Sequence, residues 1–423
     1  MILSLMKKVI LLLIFAVSLA ACSNEDTLHT EDVAKQEKTV SFKVSEDDAK
    51  AELRNFLNNL HSTQATTRST SQIEFADVQV VRNNAVTRAG STSEGFDVGL
   101  DTDTLVYAIN FANNQGFALV AADKRTSPIL AIADEGSFSI ENLSEDKDEG
   151  FLSFLDNALK MEVNDIKNYN NTPQTRSTVT NGYVISSIYS PILHTRWTQQ
   201  GIYGRYCPNG IAGCVMIATA QILSVYKTLG HVNWAYNGTM GASDLHWDKI
   251  LSDCDNYNGN LTENTGNEIA HLVRYLGIAL DADYKKSSTG AKSSKAVDWF
   301  NKWGGLKASS LKDYNESNII DAIKSGYPVF ASGYSGKKRF LGIRVGYKGG
   351  HAWVYDGLIV ATKDNKTYNL VHCNWGWGGY KNGYYLSKAF GTNAGATIYD
   401  SSDIQAGSSS NYKYNLEYSI VRK

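Results

Sequence analysis

The sequence predicts an α+β fold organised in more than one domain, on three observations. The chain has 423 residues, too many for one ordinary core and enough for two substantial ones. Stretches with helical spacing and strand-like apolar runs both occur in each half. Between the halves, residues 168–180 form a polar linker with one proline, and from Tyr183 onward the composition turns rich in Gly, Trp and Tyr. Hydrophobic residues make up 43% and charged residues 20%, the profile of a soluble globular protein. A formal net charge of -2 gives no strong pull toward nucleic acid or anionic lipid. No internal repeat of fixed period is present.

The chain opens on a targeting pattern. Lys7 and Lys8 form a positive start, Val9 to Leu19 an apolar run, and Leu19-Ala20-Ala21-Cys22 a small-residue ending before a cysteine. So short a run reads as a signal peptide, not a membrane-spanning helix. Its ending resembles the bacterial lipobox, which implies cleavage before Cys22 and lipid on the Cys22 thiol; an ordinary secretory signal with an incidental cysteine is the alternative. Residues 22–44 are polar and read as a tether.

Ser45-Glu46-Asp47-Asp48 reads as a helix start, with Ser45 as N-cap and Asp48 in a capping-box position, followed by Ala49, Leu53, Phe56, Leu57 and Leu60 at helical spacing. Residues 61–72 read as loop. Strands are expected over 78–81, 105–111 and 117–122, the last two joined as a hairpin through residues 112–116. Ile129 to Ala133 is a further apolar run. Phe151, Leu155, Leu159, Val163 and Ile166 then mark a helix over 151–169. This small α+β unit brings no cysteine near a histidine, so chemistry is sought downstream.

Pro208, Gly210 and Gly213 keep the segment before Cys214 out of a helix. Val215, Ala218, Ile222 and Val225 then share one helical face, and Gly230 is the expected C-terminal cap. Cys214 therefore sits at a helix N-terminus, where unpaired amides and the helix dipole favour a thiolate. Its base would be a histidine. His271 lies in a helical run and reads as a partly buried helix residue, while His231 and His246 read as surface or capping residues. His351 follows Gly349-Gly350 at a strand start; His372 lies in a second strand, 368–374. The pattern favours His351, with His372 the other candidate. Asn374 is either an imidazole orienter or a strand-end turn residue. Gln199, shortly before the nucleophile, is the side-chain candidate for an oxyanion hole beside the Cys214 amide.

Trp197-x-Gln199, Gly213-Cys214-Val215 through Ala220-Gln221-Ile222, Gly326-Tyr-Pro-Val329, Gly349-Gly-His-Ala-Trp-Val-Tyr-Asp-Gly357 and Asn374-Trp-Gly-Trp-Gly-Gly379 occur in this order over residues 190–390. Together they resemble the streptopain family of papain-like cysteine peptidases. Upstream, Gly116-Phe-Ala-Leu-Val-Ala-Ala-Asp123, Pro128 and Asp134-Glu-Gly-Ser-Phe138 are similar to that family's inhibitory propeptide.

After the signal peptide over 1–21 and the tether over 22–44, the resemblance implies a zymogen, with an inhibitory propeptide domain over 45–176 and a peptidase domain over 177–423; the lipobox is a departure from the family. The peptidase would be two-lobed, a helical lobe bearing Cys214 against a twisted antiparallel sheet bearing His351. It assigns Cys214 as nucleophile, His351 as base, Gln199 to the oxyanion hole, and Asn374 or Trp375 to orienting and shielding the imidazole. It gives His372 no catalytic role, and it places Gly378-Gly379 and residues 287–291 along the substrate groove. No metal or organic cofactor is expected. The expected partners are protein or peptide substrates and the chain's own propeptide. Nucleic acid is not expected, and membrane contact is expected only through the lipid anchor of an exported envelope protein. A papain-like cell-wall amidase and a catalytically silent surface lipoprotein are the rival readings. Cys207, Cys254 and Cys373 are additional to the family's single thiol, and a Cys207–Cys373 bridge near the site is an open expectation.

Overall fold

The computed structural model describes residues 41–63, 73–82, 104–144, 148–169, 182–335, 339–340, 343–344, 349–391 and 415–423. The signal segment with Cys22, most of the tether and the expected boundary at residue 176 lie outside them. From Lys43 onward the chain forms one compact unit.

Seven α-helices occur among the described residues: α1 (Glu46–Thr63), α2 (Glu149–Lys167), α3 (Cys214–Tyr226), α4 (Trp247–Asn256), α5 (Glu263–Ala279), α6 (Ser293–Lys302) and α7 (Glu316–Lys324). The first starts where its cap predicts. The Asp48 amide donates to Ser45 Oγ at 3.1 Å, and the Ser45 amide reaches Asp48 Oδ2 at 3.5 Å. Its buried stripe is Ala49, Leu53, Phe56, Leu57 and Leu60. In α2 the N-cap Asp148 accepts from the Phe151 amide at 3.0 Å.

Strands β1 (Phe75–Val81), β2 (Val106–Phe111), β3 (Phe117–Ala121) and β4 (Ile129–Ala133) form an antiparallel meander. The turn between β2 and β3 places Asn113 and Asn114 at φ 57° and 58°, which asparagine tolerates better than most residues. Helix α1 packs on one face of the meander, with Tyr107, Ile109, Ala118 and Val120. Helix α2 packs on the other, with Val106, Ala108, Phe117 and Leu119. The alternation follows from the strand period of two.

The later strands are β5 (Val184–Tyr189), β6 (His231–Tyr236), β7 (Thr239–Asp244), β8 (Asp283–Lys285), β9 (Ser288–Gly290), β10 (Lys307–Ala308), β11 (Lys312–Asp313), β12 (Val329–Ser335), β13 (Arg339–Phe340), β14 (Ile343–Arg344), β15 (Gly349–Lys363), β16 (Lys366–Asn374), β17 (Gly383–Leu386) and β18 (Asn415–Arg422). The main sheet has twelve strands. Its path is β1-β2-β3-β4-β17-β16-β15-β12-β18-β10, with β5 joined to β15 and β11 to β18. The N-terminal meander therefore continues directly into the C-terminal sheet. At the junction Ala131, Ile132 and Ala133 pair with Tyr385, Tyr384 and Gly383. The core is shared in the same way, since Phe151 and Phe154 of α2 cluster with Trp353, Trp375 and Tyr385.

The second lobe is helical. Helices α3 to α6 bury Met216, Ile217, Ile222, Ile250, Leu272, Leu276 and Phe300 around α3. This helix ends earlier than its sequence suggests. Lys227 takes the left-handed conformation, φ 52°, and its amide bonds back to Leu223 O at 2.8 Å, so Lys227 and not Gly230 caps it.

Candidate active site

The site lies where the start of α3 meets the start of β15. Gly213 precedes the helix at φ 88°, and a Cβ there would come within 2.6 Å of Met216 Cε and 2.9 Å of the Thr289 carbonyl oxygen. Only glycine fits both constraints. Cys214 follows as the first helical residue, half-buried, with the rest of α3 buried from Val215 to Ser224. A helix packed on all sides holds its first residue firmly. Cys214 Sγ lies 4.0 Å from the carbonyl oxygen of Gly350, the residue immediately before His351.

His351 is buried, 4% exposed, with its ring between Trp353 and Trp377 at centroid distances of 6.1 and 5.8 Å and nearly parallel to both. Its Nε2 donates to the carbonyl oxygen of Trp375 at 2.8 Å. Gly150, at the start of α2, closes over the same ring system. A Cβ on Gly150 would stand 2.4 Å from Trp375 Cζ3 and 3.0 Å from His351 Cδ2. Burial pulls the His351 imidazole down to about 4, against the weaker opposing effect of the Trp375 carbonyl. In this closed arrangement the imidazole is neutral at neutral pH, and its Nε2 proton is engaged by Trp375.

Asn374 is turned elsewhere. Its Nδ2 donates to Thr195 O at 2.7 Å, and its Oδ1 accepts from Gln221 Nε2 at 3.2 Å and from the Gly376 amide at 3.3 Å. Of the two residues expected to orient the imidazole, Trp375 touches it here, through its main chain. Gln221 links the elements around this point. Fully buried on α3, it also accepts from Thr195 Oγ1 at 3.0 Å and from the Trp197 amide at 3.2 Å. The sequence shows Gln221 only as part of a motif, and a polar residue inside an apolar helix was the available signal.

Gln199 is buried, with its carbonyl bonded to the Ala212 amide at 2.8 Å, so its main chain is fixed against the approach to Cys214. Next to it, Thr198 bridges to Trp377, and the Gly378 amide donates to Trp197 O at 3.1 Å. Cys214 thus lies against Gly350, His351 against the Trp375 carbonyl, and Gln199 against Ala212, two residues before the nucleophile. Gly213 meets Thr289, which places residues 287–291 beside the nucleophile.

The other histidines separate cleanly. His372 is buried away from Cys214, its Nδ1 against Asp356 Oδ1 at 2.6 Å and its Nε2 against Asp134 Oδ2 at 3.3 Å. Burial alone would push it down, but Asp356 and Asp134 outweigh burial and raise it to about 10, so this imidazole is charged. His271 stacks between Tyr206 and Trp234, with ring centroids 4.4 and 4.3 Å away. His231 pairs with Asp244 and His246 with Glu268 at the surface. The conceivable Cys207–Cys373 bridge is not formed: both are free and buried, one in the helical core and one in the sheet core. Burial raises the thiols of Cys207, Cys254 and Cys373, that of Cys254 to about 11, which makes all three poor nucleophiles.

Two protein families match consecutive parts of the chain. Residues 197–385 match the Peptidase C10 family, and residues 41–162 match the Spi protease inhibitor family. Streptopain of Streptococcus pyogenes is 25% identical over 393 residues, covering 80% of this chain and 91% of streptopain. The thiol protease/hemagglutinin PrtT of Porphyromonas gingivalis is 23% identical over 334 residues, 69% of this chain and 35% of that protein. Among solved structures, a cysteine-to-alanine fragment of prointerpain A from Prevotella intermedia superposes with a TM-score of 0.50 at 21% identity, over 76% of this chain and 96% of the fragment. The Peptidase C10 segment, which carries Cys214 and His351, follows the Spi inhibitor segment, which carries Gly150 and Asp134, and the chain is a streptopain-like cysteine peptidase with an inhibitory propeptide.

Proposed function

We propose that this cysteine peptidase is made as a latent, exported precursor and acts as an endopeptidase once residues up to about Arg176 are removed. The single observation that carries the proposal is the meeting of a helix-N-terminal Cys214 with the strand start of His351, 4.0 Å from sulfur to the Gly350 carbonyl. In the active state the Cys214 thiolate attacks a peptide carbonyl. The amides of Cys214 and Gln199 receive the oxyanion. Protonated His351 gives its proton to the leaving amine, and His351 then takes a proton from the water that hydrolyses the acyl-enzyme. Trp375 orients the ring through its carbonyl, and Asn374 is left to brace the neighbouring main chain.

Latency has a physical reason in the packing of α2. With Gly150 over Trp375, the imidazole is dry and held neutral by burial, which disfavours the imidazolium that a thiolate needs as its partner. Removing α2 returns water to the ring and lets it take the charged form, with the Nε2 bond to the Trp375 carbonyl kept. Lys7, Lys8 and the ending at Cys22 support export as an envelope lipoprotein, with the peptidase retained there or released on processing.

The test is labelling with an epoxide thiol-peptidase inhibitor before and after processing, beside Cys214→Ala. The processed wild type is expected to label at Cys214 and to cleave casein. Cys214→Ala is expected to lose at least about 10⁴-fold of the activity and to accumulate as folded precursor. A folded, processed chain that does not label favours the silent lipoprotein, and cleavage of peptidoglycan but not casein favours the amidase.

A further inference from the structure

The segment Ala131–Gly136 is held on the C-terminal part of the chain by both main chain and charge. Three residues of β4 pair with β17, and the pairing continues past the strand. The Asp134 amide donates to Asn382 O at 2.7 Å, and the Lys381 amide donates to Glu135 O at 3.2 Å. Two adjacent carboxylates then meet two basic groups: Asp134 meets His372 at 3.3 Å, and Glu135 Oε2 meets Arg196 at 2.8 Å. Gly136 passes under Tyr380, where a Cβ would stand 2.6 Å from the ring.

Cleavage between residues 169 and 182, followed by departure of the N-terminal part, would leave all of this open. The edge of β17 would then have unpaired amides and carbonyls, and an unpaired edge accepts an extended peptide. Arg196 would lose its carboxylate partner, and His372 would lose one of two. The position suits a protease. The loop joining Trp375 to β17 carries Trp377, stacked on His351, and Gly379, where a Cβ would meet Arg196 and Glu135 Oε2 at 2.9 and 3.0 Å. A chain seated on the edge is thereby presented beside the catalytic groups.

We propose that the processed peptidase uses the β17 edge, with Arg196 and His372, as an exosite for extended segments of protein substrates carrying two adjacent carboxylates. The pattern it takes is that of its own Ile132-Ala133-Asp134-Glu135-Gly136: apolar residues for the strand, an acidic pair for the two cations, and a glycine to pass Tyr380. Turnover rests on the catalytic function proposed above; binding does not.

The test uses the full-length chain after cleavage of its connecting segment, by itself or by an added protease. Two quenched fluorescent peptides share one cleavable core and differ in a tail attached through a Gly-Ser linker, Ala-Ile-Ala-Asp-Glu-Gly or Ala-Ile-Ala-Asn-Gln-Gly. The acidic tail is expected to lower KM about tenfold with kcat unchanged, since two charge-assisted contacts are gained in binding. Arg196→Gln is expected to erase most of that difference. In parallel, anisotropy of the two labelled tails on the cut chain measures affinity without turnover. Equal affinity for the two tails, or no saturable binding of the acidic one, overturns the exosite even for a chain that cleaves nothing, whereas failure to cleave either core counts only against the catalytic function. An acidic tail that binds but leaves KM unchanged also overturns it, because the edge then serves the inhibitor segment alone.

Discussion

His351 and His372 lie on neighbouring strands, β15 and β16, and are buried to the same extent, yet they sit in opposite charge states. Each is 4% exposed. Around His351 stand Trp353, Trp377, Trp375 and the edge of Gly150; around His372 stand Asp356 and Asp134. Desolvation penalises both imidazolium forms, and only the second pocket supplies carboxylates to reverse it. Burial therefore does not decide the role of a histidine here. The partners do, and the inhibitor segment contributes to both pockets, with Gly150 drying one ring and Asp134 helping to charge the other.

The largest effect is expected at Asp356. In a Cys214→Ala background, which prevents self-cleavage, Asp356→Asn is expected to cost about 3–5 kcal/mol at pH 7 in denaturant unfolding, because it strands a buried charge. His372 is raised to about 10, so its contribution is complete below about pH 6.5 and is lost as pH rises toward 10. The variant should flatten that decline. A loss under about 1 kcal/mol would mean that the imidazole carries no charge.

His351→Gln in the same background probes the opposite pocket. His351 is lowered to about 4, so its contribution is present above about pH 6.5 and is lost as pH falls toward 4, by about 3 kcal/mol in all. Glu162, buried in α2 and pushed well above the usual carboxylate range, has the opposite trend as the medium becomes acidic. The difference between the two chains at each pH isolates His351, and identical acid sensitivity would sink the neutral-imidazole description.

The smallest effect is expected at Gly150. A methyl there must move Trp375 or α2, so Gly150→Ala should destabilise the precursor by about 1–3 kcal/mol. With Cys214 intact it should also speed processing, followed by gel. A more stable or more slowly processed variant would mean that α2 does not hold the ring closed.

Much of this was legible in the sequence wherever the signal is local. The capping box at Ser45, the glycine before Cys214, the apolar periodicity of α2 and the Gly-Gly-His strand start each involve residues a few positions apart. The β4–β17 junction and the Asp134–His372–Asp356 cluster were not legible, because their partners are far apart in the chain and no spacing connects them. Asn374 shows a related limit. A strand-end amide near a histidine has several acceptors and donors in reach, and here Gln221, Thr195 and Gly376 take it. Gly230 failed as a cap for a simpler reason: Lys227 turned left-handed first.

The junction also sets a clock. Ala133 pairs with Gly383, about 250 positions later. At roughly 5–20 residues per second of synthesis, β4 waits on the order of ten seconds to a minute before its partner exists. During that interval Ile129-Leu130-Ala131-Ile132-Ala133 is an uncharged apolar strand with one open side, a segment prone to pair with another copy of itself. The newly made precursor is thus most exposed to aggregation before its last strands emerge.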